Sequence, residues 1–349
     1  MLSKNCKYLL IAIVMAGCKQ HAPQGSSFSA FDAVGIFPAV CALDTITSAS
    51  FVPTMQDTLP ADKNVVYTPA FLYAWDELRE KTGGKIQVPD NEAALQLING
   101  SAGYKGTLLP DEYATRVIEN GTHISISAVF KKGLPFKDDM DTAGIKFKGI
   151  PVKAFGMTGP SEIMADRIAI LFYDNDDHFI VRITPADDKE DIILAKGFNT
   201  AGSFENILKR IDSLSIAGQN ERKKNQTDWR YNFLYGDELL TPVMSFNYAA
   251  NYRQFTGRMI SADGHTFRID TASQRTAFVI NEHGAKVESE AKVAVAVTAA
   301  PAPPPPGEEQ KHEKKMLFDK DFIVILRKKN AQYPYFMMAV TNTDIMVKR

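Results

Sequence analysis

The chain has 349 residues, with 40 Lys and Arg against 41 Asp and Glu and a formal net charge of −1. So even a balance supplies no overall attraction to nucleic acid or another polyanion, and nucleic-acid binding is set aside. A hydrophobic fraction of 45% and a charged fraction of 23% are those of a soluble globular protein with a large core.

Lys4 and Lys7 precede an apolar run from Tyr8 to Gly17. About ten apolar residues suit the central region of a signal peptide and are too few to span a bilayer as a helix. The run closes on Met15-Ala16-Gly17-Cys18, which resembles the lipobox of bacterial lipoproteins. The resemblance implies that residues 1–17 are removed, that Cys18 takes the lipid, and that residues 18–45 form a flexible membrane tether. The implied location is the bacterial cell envelope, at the periplasmic or surface face of the outer membrane. Of the three cysteines, Cys6 falls in the removed segment, so Cys41 is left without a partner for a disulfide.

From residue 46 to 349 the chain reads as one α+β domain with helices gathered toward its first half. Thr68-Pro69 followed by Phe71, Leu72, Trp75 and Leu78 predicts a helix that Thr68 caps and Gly83-Gly84 end. Shorter helices are expected to start near Asp90 and Pro110. His123 to Phe130 alternates as a strand. Ile168–Tyr173 and His178–Thr184 flank Asp174-Asn175-Asp176-Asp177 as a hairpin. Asp174, Asp176, Asp177 and His178 could be metal ligands, but a calcium loop's Gly and distal Glu are missing, so the turn reads as solvated. Ser203 opens a helix with Phe204, Ile207, Leu208 and Ile211 at core spacing. Residues 242–248, 267–271, 278–282, 322–327 and 336–341 read as further strands. No cofactor is implied, and the signatures of enzymes are missing: there is no phosphate loop, zinc-protease pair, serine elbow or paired-cysteine site.

The informative stretch follows Thr276. The strand Thr276–Gly284 is succeeded by Ala285, Val287, Ser289, Ala291, Val293, Val295 and Val297, which alternate with Lys286, Glu288, Glu290 and Lys292. One face is small and apolar and the other is charged for its first half, before Ala294 and Ala296, as in a long strand with one buried side. A proline tract from Pro301 to Pro306 then favours an extended, solvated backbone.

Gln274-Arg-Thr-Ala-Phe-Val-Ile-Asn-Glu-His-Gly284 resembles the strand and hinge that lead into the reactive loop of serpins, protease inhibitors that trap enzymes by inserting that loop into their main sheet. Phe318–Arg327 and Tyr335–Asn342 are similar to the two strands that follow the loop. Ile126–Phe136 resembles the family's Asn-Ala-x-Tyr-Phe-Lys-Gly strand, and Asn64-Val-Val-Tyr-Thr-Pro69 its Asn-x-x-x-Ser-Pro helix start. The resemblance implies a serpin-like fold with some helices trimmed and an exposed loop at residues 285–317. It implies a hinge of Glu282, Gly284, Ala285, Val287, Ser289 and Ala291, and a reactive bond at Thr298-Ala299. The small side chains there suit an elastase-like protease, and Lys311, Lys314 and Lys315 are expected to be sensitive to trypsin-like enzymes. Where serpins carry a shutter histidine and asparagine under the main sheet, this chain has Gln274 and Ser127. The function implied is a lipid-anchored, monomeric inhibitor of serine or cysteine proteases that catalyses nothing itself. The shutter and hinge departures keep an alternative open, a non-inhibitory binding or structural lipoprotein.

Overall fold

The computed structural model describes residues 37–43, 46–110, 112–130, 132–159, 167–226, 228–286 and 313–349. In chain order its elements begin with β1 (Cys41–Ala42), β2 (Ala49–Val52), β3 (Asn64–Tyr67), α1 (Ala70–Lys81), β4 (Ile86–Gln87), α2 (Ala93–Gly100), β5 (Tyr113–Asn120), β6 (His123–Phe130) and β7 (Gly133–Pro135). Next come β8 (Asp141–Phe147), β9 (Ile150–Met157), β10 (Ile168–Asn175), β11 (His178–Ile183), β12 (Glu190–Lys196), α3 (Phe204–Lys224), β13 (Glu238–Pro242) and β14 (Met244–Asn251). Last are β15 (Met259–Ala262), β16 (His265–Asn281), β17 (Gly284–Lys286), β18 (Lys315–Leu317), β19 (Phe322–Lys328) and β20 (Phe336–Val340).

Among the described residues three sheets form, which makes the fold α+β with large mixed sheets and few helices. The main sheet is organised around β16. On one edge β16 pairs antiparallel with β15 and β14, and β4 and β1 extend that side. On its other edge it pairs in parallel with β6, which hairpins to β5. The second sheet runs β10-β11-β12-β19-β20-β3-β2. Its central strands are rich in Ile, Val, Leu and Met and almost wholly buried, the pattern of strands covered on both faces. The third sheet runs β18-β13-β9-β8.

The core lies between the main and second sheets, where Phe278 of β16 stacks on Phe336 of β20 with ring centroids 4.6 Å apart. Helix α1 packs behind the β5–β6 hairpin and sends Phe71 against Tyr252 and Phe255. Trp75 and Leu78 of the same helix are fully buried, as their spacing predicts.

Several expectations need correction. The segment after Pro110 forms strand β5 rather than a helix: Tyr113, Thr115, Val117 and Ile118 suit a pleated surface, and β6 supplies an eight-residue partner. Thr68 does not cap α1. Pro69 is the N-cap residue, and the Thr68 hydroxyl instead accepts a hydrogen bond from Gln274. The separate strands at 267–271 and 278–282 are one continuous 17-residue strand, and 242–248 is divided between β13 and β14. The folded part begins before residue 46: β1 adds in parallel to β14, and Asn247 donates to the Pro38 carbonyl at 3.0 Å.

Candidate functional site: the hinge and the main-sheet seam

At Asn281 the chain turns sharply. Gly284 has φ +116°, and a Cβ there would sit 2.4 Å from the Leu134 carbonyl oxygen, so both conformation and space demand glycine. The turn is clipped to the segment after β7 by three bonds. Phe136 N–H donates to the His283 carbonyl and Met140 N–H to the Glu282 carbonyl, each at 3.0 Å, and His283 Nδ1 lies 2.7 Å from Asp139 Oδ1.

Beyond the turn the chain enters the main sheet. β17 lies between β16 and β7, antiparallel to both, with Ala285 opposite Ile280 on one side and Leu134 on the other. Ala285 is 1% exposed and faces the core, as the inward alternation predicts. Below this wedge β16 and β6 close on each other in a parallel seam that runs from Arg275↔Val129 to Arg268↔His123.

Gln274 lies under the seam, 1% exposed. Its Nε2 donates to Thr68 Oγ1 at 2.9 Å and to Thr276 Oγ1 at 3.2 Å, and its Oε1 accepts from the Tyr252 hydroxyl at 3.3 Å. Burial pushes the Tyr252 hydroxyl well above the usual tyrosine range, which keeps it a donor. The amide therefore ties the central strand to the start of α1 and to the end of β14. Ser127 does not join this node. It pairs with Ser273 on the opposite, outer face, where the two serines help line a groove of about 370 Å³ with Ala249 and Arg275. The inward positions of β6 include Ile124, Ile126 and Ala128.

Two charged clusters that the sequence did not reveal flank the site. Where β6 gives way to β7, the Lys132 ammonium is held between Glu112 and Glu190, 2.5 Å from the latter, with all three side chains largely buried. Burial works against the ammonium, but the two carboxylates outweigh it and raise its pKa above that of an ordinary lysine. Burial raises Glu190 above the usual glutamate range, with Lys132 offsetting only part. The signal was faint: Lys132 shares the inward parity of Leu134 and Phe136.

The second cluster anchors the chain where it returns as β18. Lys314 and Asp237 are both fully buried, with Nζ 2.5 Å from Oδ2. Lys314 Nζ also donates to the Trp229 carbonyl at 2.9 Å. The aspartate accepts from the backbone N–H groups of Lys314 and Leu234. Lys314 is therefore no trypsin site, contrary to expectation, whereas Lys315 is partly exposed. The turn after β10 is held by ion pairs and hydrogen bonds. Lys196 and Lys320 bind Asp177 and hold its carboxyl down at about 2, and Asp176 accepts from Tyr173 and from the Lys315 N–H.

Of the remaining expected site residues, Cys18, Val287, Ser289, Ala291, Thr298 and Ala299 lie outside the described residues, as does Lys311.

No family model and no curated protein matches the chain. Among solved structures it is similar to Serpin48 of the insect Tenebrio molitor, at 13% identity over 78% of this chain and 64% of that one, with a TM-score of 0.37. It is similar to a serpin of the trematode Schistosoma haematobium, at 12% identity over 64% and 58% of the two chains, with a TM-score of 0.39. Tengpin, a thermophilic serpin in its native state, aligns at 14% identity over 63% and 55%, with a TM-score of 0.36. The chain spans less than two thirds of the length of each. The fold is α+β, and each of these three solved structures is a serpin.

Proposed function

We propose that this chain is a serpin-type inhibitor of serine or cysteine proteases, lipid-anchored at Cys18 in a bacterial cell envelope, whose loop inserts into the main sheet after cleavage. The observation that carries the reading is the register of β17. Lys286 stands opposite Val279 and Gly133. Continued one residue at a time, residue 291 would pass between Gln274 and Ala128, and residue 292 between Ser273 and Ser127. These are pairs that already face each other in the seam. Among the described strands, the register of β17 leads toward a seam whose two sides are in register with each other, which supports reading it as a hinge.

The side chains fit that path. Val287, Ser289 and Ala291 would share the inward face of Ala285, above Phe278, Thr276 and Gln274, while Glu288 and Glu290 would face outward, on the side that carries Arg275. The seam ends at the pair Arg268↔His123, opposite about residue 296 of an inserted strand. That length supports a reactive bond at Thr298-Ala299, just beyond the end, and proline from 301 onward could not supply ladder N–H groups. No residue of the chain catalyses a reaction in this scheme. Thr298 supplies the carbonyl that the protease attacks, and insertion carries the acyl-enzyme to the far pole.

The test is incubation of the delipidated protein with elastase-like and other serine and cysteine proteases. A denaturant-stable complex that releases a peptide beginning at Ala299 is the expected result. Cleavage without a complex by every protease tried would overturn inhibition. It would favour instead a non-inhibitory binding lipoprotein, the reading supported by the seam's closed pairing and by the Gln274 node beneath it.

A further inference from the structure

A cavity of about 580 Å³ lies away from the hinge, between α3 and β10, the edge strand of the second sheet. Gly218 sets it up. A Cβ there would meet the Leu171 carbonyl oxygen at 2.0 Å, so the helix touches the strand backbone at this point. β10 carries a register irregularity between Ile170 and Phe172 at the same place. Beyond the contact, Gln219, Arg222, Lys223 and Gln226 face Ala169 and Arg182 across the cavity.

Among the described residues the charges lining this cavity all have one sign: Arg182, Arg222 and Lys223 are cations, and no acidic side chain lines it. Arg182 makes one loose ion pair, its Nε 3.8 Å from Asp191 Oδ1 and beyond hydrogen-bond reach. Arg182 Nε is buried and donates to no described group. Arg222 and Lys223 have no acidic partner among the described residues, and Glu221 on the same helix is turned to Arg230 and Tyr231. Basic residues in a last helical turn complement the helix dipole, but that role does not call for a cavity or for a cation from a neighbouring sheet. The chain as a whole is nearly neutral, so this local surplus is a matter of placement.

We propose that the α3–β10 cavity binds a phosphate-bearing ligand. Arg182 and Arg222 would supply planar donors for its oxygens, Lys223 a point charge, and Gln219 and Gln226 neutral hydrogen bonds. The cavity is larger than one phosphate group, which suits a diphosphate or the phosphate of a larger molecule such as a lipid headgroup.

Two probes distinguish these sources: inorganic pyrophosphate in calorimetric titration at low salt, and vesicles of phosphatidylglycerol in phosphatidylcholine against phosphatidylcholine alone. Pyrophosphate should bind, with its dissociation constant raised at least about tenfold in Arg222→Gln/Lys223→Gln. Both substitutions lie on an exposed helical surface, so an unchanged melting curve shows that the fold is kept. Binding of anionic vesicles that the double variant loses assigns the site to a lipid headgroup; binding of pyrophosphate alone assigns it to a soluble phosphate compound. Binding of neither pyrophosphate nor anionic vesicles, or equal binding by the double variant, overturns the site whether or not the chain inhibits proteases.

Discussion

Lys314→Met should remove the anchor that holds the chain in place after the loop. The lysine and Asp237 are wholly buried, and the aspartate accepts from the ammonium and from two backbone N–H groups. Methionine fills nearly the same space but leaves the carboxylate buried without its counter-charge. Breaking a buried pair by removing one partner costs about 3–5 kcal/mol. In a domain of this size each kcal/mol moves the melting midpoint by roughly 2 °C, so the midpoint should fall by roughly 6–10 °C. Among the described strands β18 pairs only with β13, over three positions, and should come away first, exposing Lys315. Thermal denaturation read by circular dichroism gives the first number, and the rate of trypsin cleavage after Lys315 gives the second. Asp237→Asn should be similarly harmful, while Lys314→Met/Asp237→Asn removes both charges and keeps a carbonyl oxygen for the backbone donors. The double variant should therefore be more stable than the sum of the singles requires. Additive losses would refute the reasoning, because they would show that the charges are not coupled.

Three further outcomes are expected. Ala285→Arg places a charge between Ile280 and Leu134, at a cost of several kcal/mol that a three-residue strand cannot offset. Hydrogen exchange at residues 284–286 should quicken and any inhibition should vanish while cleavage persists; full inhibition would mean that the strand does not insert. Glu190→Gln tests the pH response. Because the folded-state pKa of Glu190 is raised above 4.5, its contribution favours folding fully below pH 4.5 and is lost as the pH rises through the raised value. The stability of the parent relative to the variant should accordingly fall from pH 4.5 upward, and a gap that is flat or widens over that range would contradict the assignment. Cys18→Ala should leave the protein unprocessed or soluble, and unchanged detergent partitioning would remove the anchor.

What the sequence determined by itself is what local periodicity and turn chemistry encode. The spacing of Phe71, Leu72, Trp75 and Leu78 specifies α1, and the apolar runs Phe322–Leu326 and Phe336–Val340 specify strands buried on both faces. Asn281-Glu-His-Gly284 specifies a turn that only glycine completes, and the small residue at 285 specifies which side of the next strand faces the core. Pairing partners are not encoded locally, and there the tertiary structure decided. The residues after Pro110 carry a helix-start signal, yet an edge of β6 needing a partner made them β5. Thr68 has a capping side chain, yet Gln274, 206 residues later in the chain, claimed its hydroxyl. Ser127 and Gln274 were grouped by resemblance, and a one-residue offset in a period-two strand placed them on opposite faces. The buried groupings of Lys132 with Glu112 and Glu190, and of Lys314 with Asp237, could not be read in advance, because a charge survives burial only when a distant segment delivers its partner.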